Sequence, residues 1–143
     1  MNLKSALLAI TFSTALVIVP NLTWAQDSHL SKFTTPSGIE YVSGGIGDAR
    51  QEAMEAIRKD YNFRLTFARP HSGAYLADVK VTVENAKSHE KIIDVISGGP
   101  LFFAQLPNGK YKVTAEFEGK QQAKTITIRK NLPRGIVFYF AKQ

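Results

Sequence analysis

The chain has 143 residues, 44% of them hydrophobic and 21% charged, with a formal charge of +6. That mixture is too apolar for a disordered chain, and the length is short for two ordinary domains, so one small core is expected. There is no cysteine, which excludes disulfides, thiolate metal ligands, a cysteine nucleophile and an acylated N-terminal cysteine.

A targeting signal comes first. Lys4 gives a positive start, residues 6–19 are 14 positions without a charge, and Pro20 breaks the run. Thr23 and Ala25 put small residues at the −3 and −1 positions of a cut before Gln26. Together these parts spell a secretory signal peptide over 1–25. The apolar run falls short of the roughly 20 residues that cross a bilayer. A cysteine-free domain behind such a signal is expected to be periplasmic or exported from a bacterium, and not transmembrane after cleavage.

Residues 26–38 are polar and read as a flexible lead-in. Residues 39–42 predict a short strand, and the three glycines of 43–47 predict a turn. Residues 48–60 predict a helix, with Asp48 as N-cap and Gln51 completing a capping box. Its expected apolar face is Ala49, Ala53, Ala56, Ile57 and Tyr61, with Met54 beside it. A Glu55–Lys59 pair is expected along its flank.

After Tyr61 the apolar period falls from 3.6 to 2. Phe63, Leu65 and Phe67 alternate with polar residues, as do Val79, Val81 and Val83. Further strands are predicted over 91–96, 101–106, 111–117, 123–128 and 136–140. Pro107, Asn108 and Gly109 make a turn, because Pro presets φ and Asn-Gly accepts positive φ. Leu106, Tyr111, Val113 and Phe117 are expected in the core, and Lys110, Lys112 and Glu116 outside it. About seven short strands near ten-residue spacing predict an antiparallel β-sandwich. The run Ile136 to Phe140 is apolar on both faces, so the helix is expected to cover its second face.

The segment 99–115, with its aromatic strand followed by Leu106-Pro107-Asn108-Gly109-Lys110-Tyr111-Lys112-Val113, resembles the carboxypeptidase regulatory-like domain, a transthyretin-like sandwich. The segment 73–81 is similar to the opening of such domains, and the likeness covers roughly 61–140. It implies a transthyretin-like fold over 61–143, with residues 39–60 as an addition, and an accessory or scaffolding role. Hydroxyisourate hydrolases share that fold but end in Tyr-Arg-Gly-Ser. This chain ends Phe140-Ala141-Lys142-Gln143, and its Arg134-Gly135 lacks the flanking Tyr and Ser.

Catalytic patterns are thin. His29, His71 and His89 show no metal-ligand spacing. No serine sits in a G-x-S-x-G elbow, and Gly45-Ile46-Gly47 reads as a helix-entry turn and not a phosphate cradle. After Glu118 the chain carries Lys120, Lys124, Arg129, Lys130, Arg134 and Lys142 and no acidic residue. Lys120, Lys124, Arg129, Lys130 and Arg134 are therefore the candidate anion-binding surface. The expectation is a non-catalytic binding or structural module of the bacterial cell envelope, monomer or dimer, without cofactor or metal. Its partner would be an envelope protein or an anionic envelope polymer, and not nucleic acid. A small-ligand carrier or sensor, with a pocket between helix and sheet, is the alternative, and a hydrolase the third.

Overall fold

The computed structural model describes residues 29–143. The signal read over 1–25 lies outside the described residues, as do positions 26–28. The described chain is mainly β, with two sheets and one helix. Strands β1 (Lys32–Thr34), β2 (Glu40–Gly44), β3 (Phe63–Ala68), β6 (Leu101–Ala104) and β9 (Arg134–Tyr139) form one sheet in the order β1-β2-β6-β3-β9. Strands β4 (Val79–Asn85), β5 (Lys91–Ser97), β7 (Gly109–Phe117) and β8 (Lys120–Ile128) form the other in the order β5-β4-β7-β8. Nine strands thus stand among the described residues, against about seven expected. The pairing of β3 with β9 is parallel, while the others are antiparallel.

The period-2 reading fixes which side chains meet between the sheets. Phe63, Leu65 and Phe67 of β3 pack with Val79, Val81 and Val83 of β4 and with Val113 and Ala115 of β7 in one buried cluster. Leu106, Tyr111 and Val113 are buried as expected and Phe117 packs half-buried on the same cluster, while Lys110, Lys112 and Glu116 are exposed. No buried side-chain polar atom among the described residues lacks a hydrogen-bond partner. Asn62 shows how that is done. Its amide donates to Leu106 O at 2.8 Å and accepts from Leu106 N at 2.9 Å, mimicking one rung of a strand ladder.

Part of the expected lead-in is a strand. Lys32–Thr34 pairs with β2, and the Thr35-Pro36-Ser37-Gly38 turn joins them, with Gly38 N donating to Thr35 O at 2.9 Å. Three residues are too few for alternation to show. Residues 39–60 are likewise built into the sandwich, because β2 sits between β1 and β6.

Helix α1 (Asp48–Ile57) continues into a 3-10 turn over Arg58–Asp60. Its N-cap is Gly47 and not Asp48, and no side chain caps it; Gln51 N donates to Gly47 O at 3.0 Å instead. Glu55 pairs with Arg58 at 3.2 Å in place of Lys59. The buried stripe is Met54 and Tyr61 with Ile57 beside them, packed on Val42, Leu101 and Phe103. Ala56 is exposed. The helix therefore covers β2 and β6, not the second face of β9. Val137 and Tyr139 stay 38% and 51% exposed. The strand apolar on both faces and covered on both is the central one, β6: Phe102 and Ala104 face the sandwich, and Leu101 and Phe103 face the helix. Burying a side chain the size of Met54 there stabilises the fold by about 1.5–3 kcal/mol.

The turn after β6 explains its own sequence. The Tyr111 hydroxyl donates to Pro107 O at 2.9 Å, so it is spent inside the corner and not left to water. The ring folds back across Gly109, where a Cβ would stand 3.4 Å from the Tyr111 Cζ and Oη. Leu, Pro, Gly and Tyr at this spacing make a closed corner.

Candidate binding surface

The five basic candidates fall in two places. Lys120 and Lys124 alternate with Gln121 and Ala123 on β8 and share the face of Val113 and Phe117, their register partners on β7. At the edge of the sandwich that face looks across to β9. Lys120 Nζ donates to Ala141 O at 3.3 Å, Gln122 Nε2 to Tyr139 O at 2.6 Å and Lys124 Nζ to Val137 O at 3.2 Å. Arg129 and Lys130 lie in the turn after β8, and Arg134 starts β9, its Nε donating to Thr127 O at 3.4 Å. Lys130 shares a cleft of about 270 Å³ with Lys59, Asp60, Tyr61 and Asn62. The structure thus splits the acid-free stretch into an edge cap and a small basic end, and adds Lys59 to the latter.

The opposite end of the sandwich collects the turn between β2 and α1, the loop between β3 and β4, and the turn between β5 and β6. Backbone packs on backbone here. A Cβ on Gly99 would stand 2.2 Å from Gly44 O, so glycine is obligatory at 99. The β3–β4 loop is tied down by Arg69, which donates to Phe140 O at 3.1 Å, pairs with Glu118 at 3.6 Å and lies 5.3 Å over the Phe117 ring. Arg69 N to Ala74 O at 2.7 Å and Leu76 N to Phe67 O at 3.0 Å hold the rest of the loop.

On this fixed frame sit two shallow clefts that share Gly45 and Ile46. One, of about 250 Å³, is bounded by Gln51, Tyr75, Leu76 and Pro100. The other, of about 340 Å³, is bounded by Leu30, Phe33, Ser43, Arg50 and Gly98. Ile46, Tyr75 and Phe33 are 55%, 50% and 46% exposed. Three large apolar side chains held around paired clefts make a surface suited to an apolar or aromatic anchor. Sequence reading missed Ile46 and Tyr75. A visible signal existed: a β-branched residue between two glycines of a turn has no core to enter.

The seam between helix and sheet is filled by Met54, Val42, Leu101, Phe103 and Tyr61. Tyr61 donates to a Glu40 carboxylate oxygen at 3.2 Å, and burial together with that carboxylate pushes its pKa up to about 12. His71 and His89 lie in loops with φ of 64° and 59°, and His89 Nδ1 stands 4.0 Å from Glu84. No group of three or more His, Asp or Glu among the described residues is placed to hold a metal ion. Among them, too, no helix is long and apolar enough to cross a membrane.

Comparison with family models and with curated proteins returns no match for this chain.

Proposed function

We propose that this chain is a non-catalytic binding module of the bacterial cell envelope, reached through a cleaved signal peptide over 1–25, and that it holds an envelope protein through the cleft end. The observation that carries the reading is Ile46, 55% exposed between two clefts on a hydrogen-bonded frame. An apolar side chain kept in water by a rigid turn stabilises nothing in the isolated domain, but it can anchor a partner. The two-sheet sandwich and the Leu106–Tyr111 corner also support a transthyretin-like, carboxypeptidase regulatory-like assignment, whose accessory role agrees with binding.

A second reading has its own observation. Lys59 and Lys130 line one cleft at the basic end, with Arg129 and Arg134 nearby in sequence. This end suits an anionic envelope polymer, and such binding would weaken with salt.

The test is capture from envelope extract by the tagged mature chain, its Ile46→Asp/Tyr75→Ser variant, and a Thr125→Asp control on the far face. The first reading expects one discrete partner, held by the parent and the control and reduced at least about tenfold in the cleft variant. Equal capture by all three contradicts it. Capture lost instead on reversing Lys59 and Lys130 to Glu transfers the function to the basic end.

A further inference from the structure

The two open sides of the sandwich are built differently. On one side β8 and β9 face each other, and the outward carbonyls of Val137 and Tyr139 in β9 and of Ala141 just after it are taken up by Lys124, Gln122 and Lys120. On the other side β5 pairs with β4 and, among the described residues, with no further strand. Among the described residues, no side chain caps its backbone edge in that way. A register shift near Val83 and Glu84 confines the irregular part of β5 to its start, so Ile93 to Ser97 runs regularly. That stretch is about 17 Å of unpaired strand edge. It is rich in β-branched residues, and Ile96 at its end is 67% exposed.

The strand count makes this edge specific. One sheet has five strands and the other four. With β8 against β9, no strand among the described residues faces the fifth strand of the larger sheet, β1. The side chain that feels this is Phe33. It is the register partner of Tyr41, on the inward face, and stacks on it at 5.3 Å; Tyr41 stacks on Phe102 at 5.2 Å. An aromatic row thus runs out from the core and ends at a ring 46% exposed. Val95, inward on β5, is only partly buried for the same reason. One added strand beside β5 would equalise the sheets, face β1, and cover Phe33 and Val95.

We infer that the β5 edge is an acceptor for one extended strand of a partner protein, apolar on its inward side and carrying Lys or Arg opposite Asp94. Main-chain pairing supplies the adhesion and the alternating side chains supply the choice of partner. Asp94 sets the charge. It is the second residue of the regular stretch, 43% exposed, 3.7 Å from Lys91 Nζ and accepting from Thr82 Oγ1 at 3.5 Å. A second copy of β5 fits poorly. Two-fold antiparallel registers centred on Ile93, Asp94 or Val95 set Asp94 against Ile92, Asp94 or Ile96 of the copy, and like charges or an apolar side chain opposite a carboxylate disfavour pairing. Asp94 thereby guards the edge against self-association while leaving it open to a basic strand.

The test extends the full chain at Gln143. β9 ends at the level where a strand antiparallel to β5 would begin, roughly 20 Å across the sandwich. A Gly/Ser linker of about 15 residues reaches that far. It carries nine residues of alternating Val and Thr, with Lys at the position facing Asp94. Hydrogen exchange of those β5 amides between 93 and 97 that point away from β4 should slow about tenfold or more, and a Phe33→Trp probe should shift its emission to the blue. Both changes should shrink when the Val residues are replaced by Ser, and when Asp94→Lys is added. Unchanged β5 exchange, or equal protection by the Ser strand, overturns the inference. So does a dimer of the unextended chain with β5 already protected, which would make the occupant a second copy. The added strand shares Phe33 with the cleft end, but its readout is exchange along β5 and not capture, so this inference can fail while capture by the unextended chain through Ile46 and Tyr75 persists.

Discussion

Lys124 Nζ donates to Val137 O at 3.2 Å and stands 5.3 Å from the centroid of the Phe138 ring. One side chain of β8 thus caps the edge of β9 and lies over its core aromatic. Lys120 with Ala141 and Gln122 with Tyr139 repeat the cap two residues at a time, one strand advancing as the other retreats. Inward-pointing lysines on an edge strand are a known way of keeping sheets from pairing edge to edge. Changing Lys120, Gln122 and Lys124 together to Ala should leave the core intact and free three carbonyls. Sedimentation velocity should then show concentration-dependent association that the parent lacks. A variant that stays monomeric at every concentration would show that the cap is not what protects β9.

Gly99 and Gly44 provide a paired test of the cleft frame. A methyl on Gly99 meets backbone at 2.2 Å, whereas one on Gly44 meets Met54 Sδ at 3.8 Å. Gly99→Ala should destabilise the fold by about 3 kcal/mol or more, since backbone cannot give way as a side chain does. Gly44→Ala should change stability by less than about 1 kcal/mol. Urea midpoints measure both, and equal losses would contradict the backbone contact.

Tyr111→Phe removes the hydroxyl that closes the Leu106–Tyr111 corner and leaves Pro107 O without its donor. The expected loss is about 0.5–1.5 kcal/mol. Gly109→Ala should add little, since its methyl would meet the Tyr111 ring at an ordinary contact distance of 3.4 Å. If Tyr111→Phe has no effect on the denaturation midpoint, the corner does not depend on that bond.

Tyr61 makes stability fall in alkali. Burial and the Glu40 carboxylate raise its pKa from 10.0 to about 12 in the folded chain. Between those values the folded state keeps a proton that the unfolded state releases, so stability is full below pH 10 and declines towards pH 12. Tyr111, raised by burial, acts in the same direction. Tyr61→Phe should flatten that decline relative to the parent. Parallel pH profiles for parent and variant, followed by thermal melting, would contradict the assignment.

Much of the sandwich is readable from alternation alone. The β3 and β4 residues expected inside are inside, as are Tyr111 and Val113 of β7, while Phe117 near its end is half-buried, because each strand has one apolar and one polar face. A strand apolar on both faces does need a second cover, but the strand that has one is Leu101-Phe102-Phe103-Ala104, shorter and more central than Ile136 to Phe140. Val137 and Tyr139 remain in water because β9 is an edge strand. β1 was illegible because three residues show no period, and its place comes from the Thr35–Gly38 turn. The basic stretch after Glu118 misled in another way. Charge counted along the chain does not say where a lysine reaches, and on β8 the two lysines reach inward to carbonyls. Ile46 and Tyr75 belong to no repeat, so their pairing across two clefts depends on loops that only the folded chain brings together.

In the proposed function a partner sits at the end of the sandwich around Ile46. The most direct measurement places a photo-cross-linking amino acid at Ile46, at Tyr75 and, as a control, at Thr125 on the outer face of the β5-β4-β7-β8 sheet, in the full chain in intact cells. Irradiation should give one discrete adduct of the same mass from Ile46 and Tyr75, and none from Thr125. No adduct at the two cleft positions, or the same adduct at all three, would contradict the account.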